Sequence, residues 1–180
     1  TYIAAEKLFM RGDNEGARRS MQNYLQNYPN GAFSTNANFY LASIAFNLKE
    51  YNEALPMFEQ VIASGDRKFL EESTARKAEI EYLTENFKAA LETFKRLNEI
   101  AESADNKEAA SLGIMRCALK EGNQKDALAG ANQLLKNPKV SPEIANEARY
   151  VRAKAYMEMD QESKALADLK LISQDTRTAQ

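Results

Sequence analysis

Five alanines, Ala17, Ala54, Ala90, Ala127 and Ala165, recur along the chain at intervals of 37, 36, 37 and 38 residues. Four residues beyond them stand Met21, Phe58, Phe94, Ala131 and Leu169, and seven beyond stand Tyr24, Val61, Leu97, Leu134 and Ile172. Steps of four and seven return to one face of an α-helix, so each alanine opens a helix with a single apolar stripe. Two further columns precede the anchors. Twelve residues before come Ala5, Ala42, Ala78, Met115 and Ala153; eight before come Phe9, Phe46, Tyr82, Leu119 and Met157. These two columns are four apart and share a second helical face. A small residue at each anchor lets the two helices of a pair approach closely. One pair cannot bury both its faces, whereas stacked pairs can, with contacts between neighbours only.

The punctuation agrees with this period. Five residues before each anchor stand Gly12, Lys49, Glu85, Gly122 and Asp160. A left-handed residue is expected there, ending the first helix of each pair. Glycine adopts that conformation freely, and the three non-glycine copies should each carry ~1 kcal/mol of strain. Tyr28-Pro29-Asn30-Gly31, Ser64-Gly65-Asp66, Ser103-Ala104-Asp105-Asn106 and the Asn137–Glu143 stretch separate the pairs. In the last of these Ser141 reads as an N-cap, with Pro142 at the first helical position and Glu143 on the positive helix end. Pro56 is expected in the first turn of its helix, where a missing N–H does little harm. Ten helices follow, in pairs near residues 2–27, 32–63, 68–102, 106–136 and 142–173, and no stretch has the alternation of a strand. With 44% hydrophobic residues, 7 glycines and 4 prolines in 180, the chain can bury a core between long helices. The expected architecture is a single all-α solenoid domain over residues 1–180. Its five helix–turn–helix repeats lie near 2–30, 32–66, 68–104, 106–140 and 142–175, with no interior linker.

Several chemistries are excluded by residue content. The chain has no histidine, which removes the commonest general base, the His-activated nucleophiles and the commonest metal ligand. One cysteine rules out an internal disulfide and a cysteine zinc site, and Cys117 reads as a buried small hydrophobe. The glycines are scattered singly and form no phosphate-cradling loop. The carboxylate pairs Glu71-Glu72 and Glu79 with Glu81 read as a solvated helix face. No enzyme activity, cofactor or metal is expected. Twenty-four basic against 26 acidic residues, net charge −2, give no broad drive toward nucleic acid or an acidic membrane. Arg18-Arg19 is too short a basic run to change that. No apolar run approaches the ~20 residues of a transmembrane helix. The chain opens inside a helical pattern at Tyr2 with no initiator methionine or signal-peptide pattern, and so reads as a piece of a longer precursor.

These residues resemble the tetratricopeptide repeat family. The matching positions are Ala5, Gly12, Ala17 and Pro29 in the first pair and Leu41, Ala42, Ala54 and Phe58 in the second. In the third they are Ala78, Ala90 and Phe94, and in the fifth Ala153, Tyr156, Ala165 and Leu169. The period near 37 exceeds the family's 34. Ala45, Glu81 and Ala118 stand where the family usually has an aromatic, and Met115 and Ala131 depart from the pattern in the fourth copy. The resemblance implies a right-handed α-solenoid that acts as a non-catalytic scaffold for a protein or peptide. A narrower resemblance, carried by Tyr28-Pro29, Ala32, Asn36-Ala37, Tyr40-Leu41, Tyr51, Ala54 and Phe58, is to bacterial envelope repeat proteins. These are of the Tol–Pal accessory and outer-membrane assembly lipoprotein types. It implies a cell-envelope or periplasmic location, with the cytoplasm as the alternative.

In this family the first helices line the concave face. One residue after the small core column come Glu6, Ser43, Glu79, Arg116 and Lys154; one turn earlier come Tyr2, Phe39, Ala75, Leu112 and Tyr150. The resemblance thus implies a groove for an extended or helical peptide lined by Tyr2, Glu6, Phe39, Ser43, Glu79, Arg116, Tyr150 and Lys154. Its charge would run from acidic in the early repeats to basic in the later ones. The alternative is that the aromatics pack between neighbouring repeats. The carboxylate clamp of the family's co-chaperones maps onto Tyr2, Glu6, Tyr40, Glu72 and Arg76, where only Arg76 fits and two acids would repel the ligand. Two other roles remain open: a structural spacer that associates with itself, and an envelope assembly factor.

Overall fold

A computed structural model describes residues 1–178, with side chains through Asp175. It contains ten helices among the described residues: α1 (Tyr2–Met10), α2 (Asn14–Asn27), α3 (Ser34–Asn47), α4 (Tyr51–Ala63), α5 (Arg67–Leu83), α6 (Phe87–Ile100), α7 (Ala104–Lys120), α8 (Gln124–Lys136), α9 (Pro142–Glu158) and α10 (Glu162–Thr178). Consecutive helices form five pairs, and no strand is present among the described residues.

The turn inside each pair is built the same way. Gly12, Lys49, Glu85, Gly122 and Asp160 all adopt positive φ, at 82°, 61°, 61°, 68° and 57°. The next residue's N–H reaches back to the carbonyl five positions earlier. This gives Asp13 to Leu8 at 3.0 Å, and Glu50 to Ala45, Asn86 to Glu81, Asn123 to Ala118 and Gln161 to Tyr156 at 2.8 Å each. This is the Schellman arrangement, which satisfies carbonyls that a helix end would otherwise leave unpaired.

Two compact units divide within α5, one spanning Thr1–Ile80 and the other starting at Glu81. In the first unit, Tyr2, Ala5, Met21, Ala37 and Leu41 form one buried cluster, and Ala42, Ala45, Ala54, Phe58 and Ile80 form another. In the second, the alanine column brings the helices close together. A Cβ added at Gly130 of α8 would meet the Met115 backbone nitrogen of α7 at 2.8 Å and the Ser111 carbonyl oxygen at 2.9 Å. Phe94 of α6 lies directly on Gly113 of α7, where an added Cβ would come within 2.4 Å of the ring. Arg152 of α9 joins three helices. It donates twice to Asp168 of α10, at 2.8 and 2.6 Å, and once to Asn132 Oδ1 of α8 at 3.0 Å. The fork geometry offsets part of what burial of the Asp168 carboxylate costs.

Three sequence expectations need correction. Pro56 is the sixth residue of α4, not part of its first turn. It denies a donor to the Asn52 carbonyl four residues back, and both residues are exposed, so water can take that place. Leu169, placed in a core column by the period, is 41% exposed. Glu81 is not on a solvated face. It is 5% exposed and accepts a hydrogen bond from the Thr93 hydroxyl at 2.5 Å.

Candidate functional site

In the first unit the expected groove residues sit on α1, α3 and α5. Tyr2 is only 4% exposed. Its ring stacks on Phe33 at 4.5 Å and lies 5.8 Å from Tyr24, so it is held as a core residue. Its hydroxyl is buried and makes no well-aligned hydrogen bond, with the Asn36, Tyr40 and Glu6 side chains standing against it. Burial raises the phenol's pKa, opposed by the Asn36 side chain and reinforced by the Glu6 charge. Glu6, half-buried, accepts from the Tyr40 hydroxyl at 3.2 Å. The Tyr40 phenol is pushed up to about 12, chiefly by burial, then by Tyr2 and Glu6. Phe9 lies 4.8 Å from the Tyr40 ring.

Phe39 stacks on Phe69 at 4.6 Å and meets Phe58 edge-on at 6.2 Å, so its ring is packed rather than open. The Ser43 hydroxyl donates to the Phe39 carbonyl at 2.8 Å and is satisfied within its own helix. Glu79 takes a hydrogen bond from Arg76 at 3.0 Å, and Arg76 also pairs with Glu72 at 3.0 Å. The Arg76 guanidinium lies over the Phe46 ring, 4.8 Å from its centre.

In the second unit, Arg116 of α7 holds Glu147 of α9 in a two-pronged ion pair of 2.7 and 2.8 Å, which raises its already high pKa. Tyr150 is 58% exposed, and Lys154, one turn on in α9, is also exposed. Cys117 is fully buried, and its thiol is pushed up to about 11 by desolvation and then by Glu121 and Glu81.

Of the eight expected groove residues, Glu6, Tyr150 and Lys154 thus keep polar or aromatic capacity for an outside partner. Tyr2 and Phe39 follow the packing alternative. Glu79 and Arg116 spend their charge on Arg76 and Glu147, which weakens the expected acid-to-base trend at two of its positions. Sequence reasoning did not single out Phe9, Asn36 and Tyr40 as a cluster with Glu6. The available signal was Phe9 three residues after Glu6, on the same helical face. Among the described residues no group of three or more potential metal ligands comes together, and no helix is long and apolar enough to cross a membrane.

The tetratricopeptide repeat family model matches residues 2–31 and 36–64, the first two helix pairs. Solved structures match over nearly the whole length. One is YrrB, described as a tetratricopeptide repeat protein with an unusual peptide-binding site. It aligns with a TM-score of 0.72 at 21% identity, covering 94% of this chain and 81% of that one. This is a tetratricopeptide-repeat fold. MamA from Desulfovibrio magneticus RS-1 aligns with a TM-score of 0.68 at 14% identity, over 97% of this chain and 92% of that one. A putative kinesin light chain of nearly identical repeats from Podosopora anserina gives 0.63 at 15% identity, over 99% and 94%. No curated protein matches the chain in sequence. In tetratricopeptide terms, the five left-handed turns join the two helices of each repeat, and the residues described above lie on the first helices.

Proposed function

We propose that this chain is a non-catalytic scaffold that binds a protein or peptide on the faces of its first helices. The observation that carries this reading is the pairing of Tyr150 and Lys154 on α9. A large aromatic and a cation stand one turn apart, both open to solvent. Leaving an aromatic side chain in water forgoes the burial free energy its neighbours gain, and such residues are typical anchors of binding surfaces. In the first unit Glu6 is the expected groove residue that keeps polar capacity, while Tyr2 and Phe39 pack, Ser43 bonds within its helix and Glu79 pairs with Arg76. In the second, Arg116 pairs with Glu147. The peptide-binding site described for YrrB is in keeping with this use of the fold. An envelope role refines the reading and is supported by the resemblance carried by Tyr28-Pro29 through Phe58; fractionation of tagged protein in its source cells tests it.

The test is affinity capture with the wild-type chain and a Tyr150→Ala/Lys154→Ala variant, followed by titration of the purified partner. A protein bound by the wild type and lost by the variant, with helicity and melting unchanged, is the expected result. Equal affinity for both chains would remove this pair from the site.

A second reading, self-association, is favoured by one observation: Leu166, Leu169 and Leu171 of α10 are exposed, at 54%, 41% and 43%. A sedimentation coefficient that rises with concentration, and ceases to do so in Leu166→Glu/Leu169→Glu, would support it. A concentration-independent monomer would end it.

A further inference from the structure

We propose that the face where α1 meets α3 is a subsite for a cationic group of the bound partner, a lysine ammonium or an arginine guanidinium. Glu6 is its counter-charge and the Phe9 and Tyr40 rings are its walls. The proposal rests on the peptide-binding reading above and names the chemistry of one position in it.

Glu6 is half-buried, and among the described residues no lysine or arginine pairs with it; its partner is the neutral Tyr40 phenol at 3.2 Å. Other glutamates of the same unit are matched. Glu50 and Glu53 lie against Arg18, Glu59 against Lys77, and Glu72 and Glu79 against Arg76. The Glu6 carboxylate thus lacks the charged partner that those other glutamates have, and faces only phenols. The Tyr2 hydroxyl, buried and without a bonded partner, sits against the same cluster of Glu6, Tyr40 and Asn36. Unsatisfied hydrogen-bonding capacity and uncompensated charge therefore converge on one place.

The register of the repeat supplies an internal template. Phe9 and Phe46 stand eight residues before their anchors, and Tyr40 and Arg76 stand fourteen before theirs. One repeat later, then, the chain fills the equivalent position itself. The Arg76 guanidinium lies over the Phe46 ring at 4.8 Å and between Glu72 and Glu79. An aromatic face beside a carboxylate is how this protein holds a cation. At the α1–α3 position the aromatic is present and a tyrosine replaces the arginine; the acid there, Glu6, stands on the preceding helix, in the column that holds Ser43 one repeat later. The Phe9 and Tyr40 rings pack on each other, 4.8 Å apart and inclined by 50°, and both stay partly exposed beside Glu6.

The probes are the N-acetyl methylamides of lysine, arginine and norleucine, titrated into the full chain and followed through backbone amide and tyrosine ring NMR signals. The lysine and arginine probes should shift signals of Glu6, Asn36 and Tyr40 with millimolar affinity, while the neutral norleucine probe should not. Comparing the two cationic arms tells an ammonium site from a guanidinium site. Glu6→Gln should weaken both by at least about tenfold, the loss of a charge-assisted contact. Tyr40→Phe, which keeps the ring, should weaken them only a few-fold, and unchanged amide spectra elsewhere verify that both variants fold. Equal shifts from norleucine, no shifts at all, or a Glu6→Gln variant that binds as well as wild type would overturn the subsite. A silent probe with an intact captured partner removes the subsite alone. A probe that binds through Glu6 with no partner retained removes the scaffold reading alone.

Discussion

Phe58→Ala tests the packing account most directly. The ring is fully buried in α4. It touches a wall of Ala42, Ala45, Ala54 and Ile80, with the Phe39 ring edge-on at 6.2 Å. An aromatic side chain of this kind removes roughly 150–250 Å² from water. At about 25 cal/mol per Å², and with the β-carbon retained, the lost transfer free energy is roughly 3–4 kcal/mol. The surroundings can refill the space only in part, through the partly buried Leu55 and Met57 beside the cluster. Three wall residues are alanines with no side chain to swing inward, and Phe39 is pinned by its stack on Phe69 at 4.6 Å. The residual cavity therefore adds to the transfer loss, and the total should reach about 4–5 kcal/mol, the upper part of the range for buried Phe→Ala. The chain has no tryptophan, so tyrosine fluorescence and far-UV circular dichroism would follow urea unfolding. Tyr2, Tyr24, Tyr28, Tyr40 and Tyr51 report on the first unit, where the loss should appear. A loss below about 1 kcal/mol would mean that the alanine walls do not confine the ring as described and that the repeat register is misplaced.

Three further outcomes follow from local geometry. Gly113→Ala places a Cβ 2.4 Å from the Phe94 ring and should cost ~1–3 kcal/mol in urea unfolding; in a Phe94→Ala background most of that cost should vanish. Equal costs in both backgrounds would show that the ring is not the obstacle. Lys49→Gly and Glu85→Gly, at φ 61° each, should raise stability by roughly 0.5–1 kcal/mol apiece, and a loss on either substitution would contradict the strained turn. Cys117 gives an alkaline signature. Its thiol is raised from 9.0 to about 11, so the folded state favours the neutral form. The stabilisation is complete below pH 9 and is lost as pH rises toward 11, amounting to roughly 2 kcal/mol by then. Cys117→Ala should lack this part of the pH dependence, and parallel alkaline profiles for the two proteins would refute it.

The sequence made the turns legible residue by residue, because a left-handed helix end is a local event whose position the period dictates. Gly12, Lys49, Glu85, Gly122 and Asp160 were found by counting back from the anchor alanines, although only two are glycine. The interior of the columns was legible for the same reason. Ala17, Ala54, Ala90 and Ala165 are fully buried, as is Phe58. Spacing along one helix fixes a direction, but it does not say what stands in that direction. Tyr2 pointed toward the expected groove face and was captured by Phe33, which lies in a connection outside the helical register. Arg116 is expected on the groove face, and its charge is taken by Glu147, 31 residues away in the next pair. Leu169 had the right spacing for burial, yet it is 41% exposed.

The same distinction explains where a repeat scaffold can hold a partner. Each repeat copies the geometry of its neighbours, so a position satisfied internally in one repeat shows what the equivalent position needs in another. Arg76 closes the α3–α5 position with its own guanidinium, over Phe46 and between two glutamates. Tyr40 leaves the α1–α3 position with an acid, two rings and a buried hydroxyl that lacks a bonded partner. Transplanting the arginine, as Tyr40→Arg, should therefore fill the position from within. Glu6 would gain an internal counter-charge, and the lysine and arginine probes should lose their binding while the fold is kept. A Tyr40→Arg chain that still bound those probes as wild type does would break the equivalence between the two positions on which this reasoning stands.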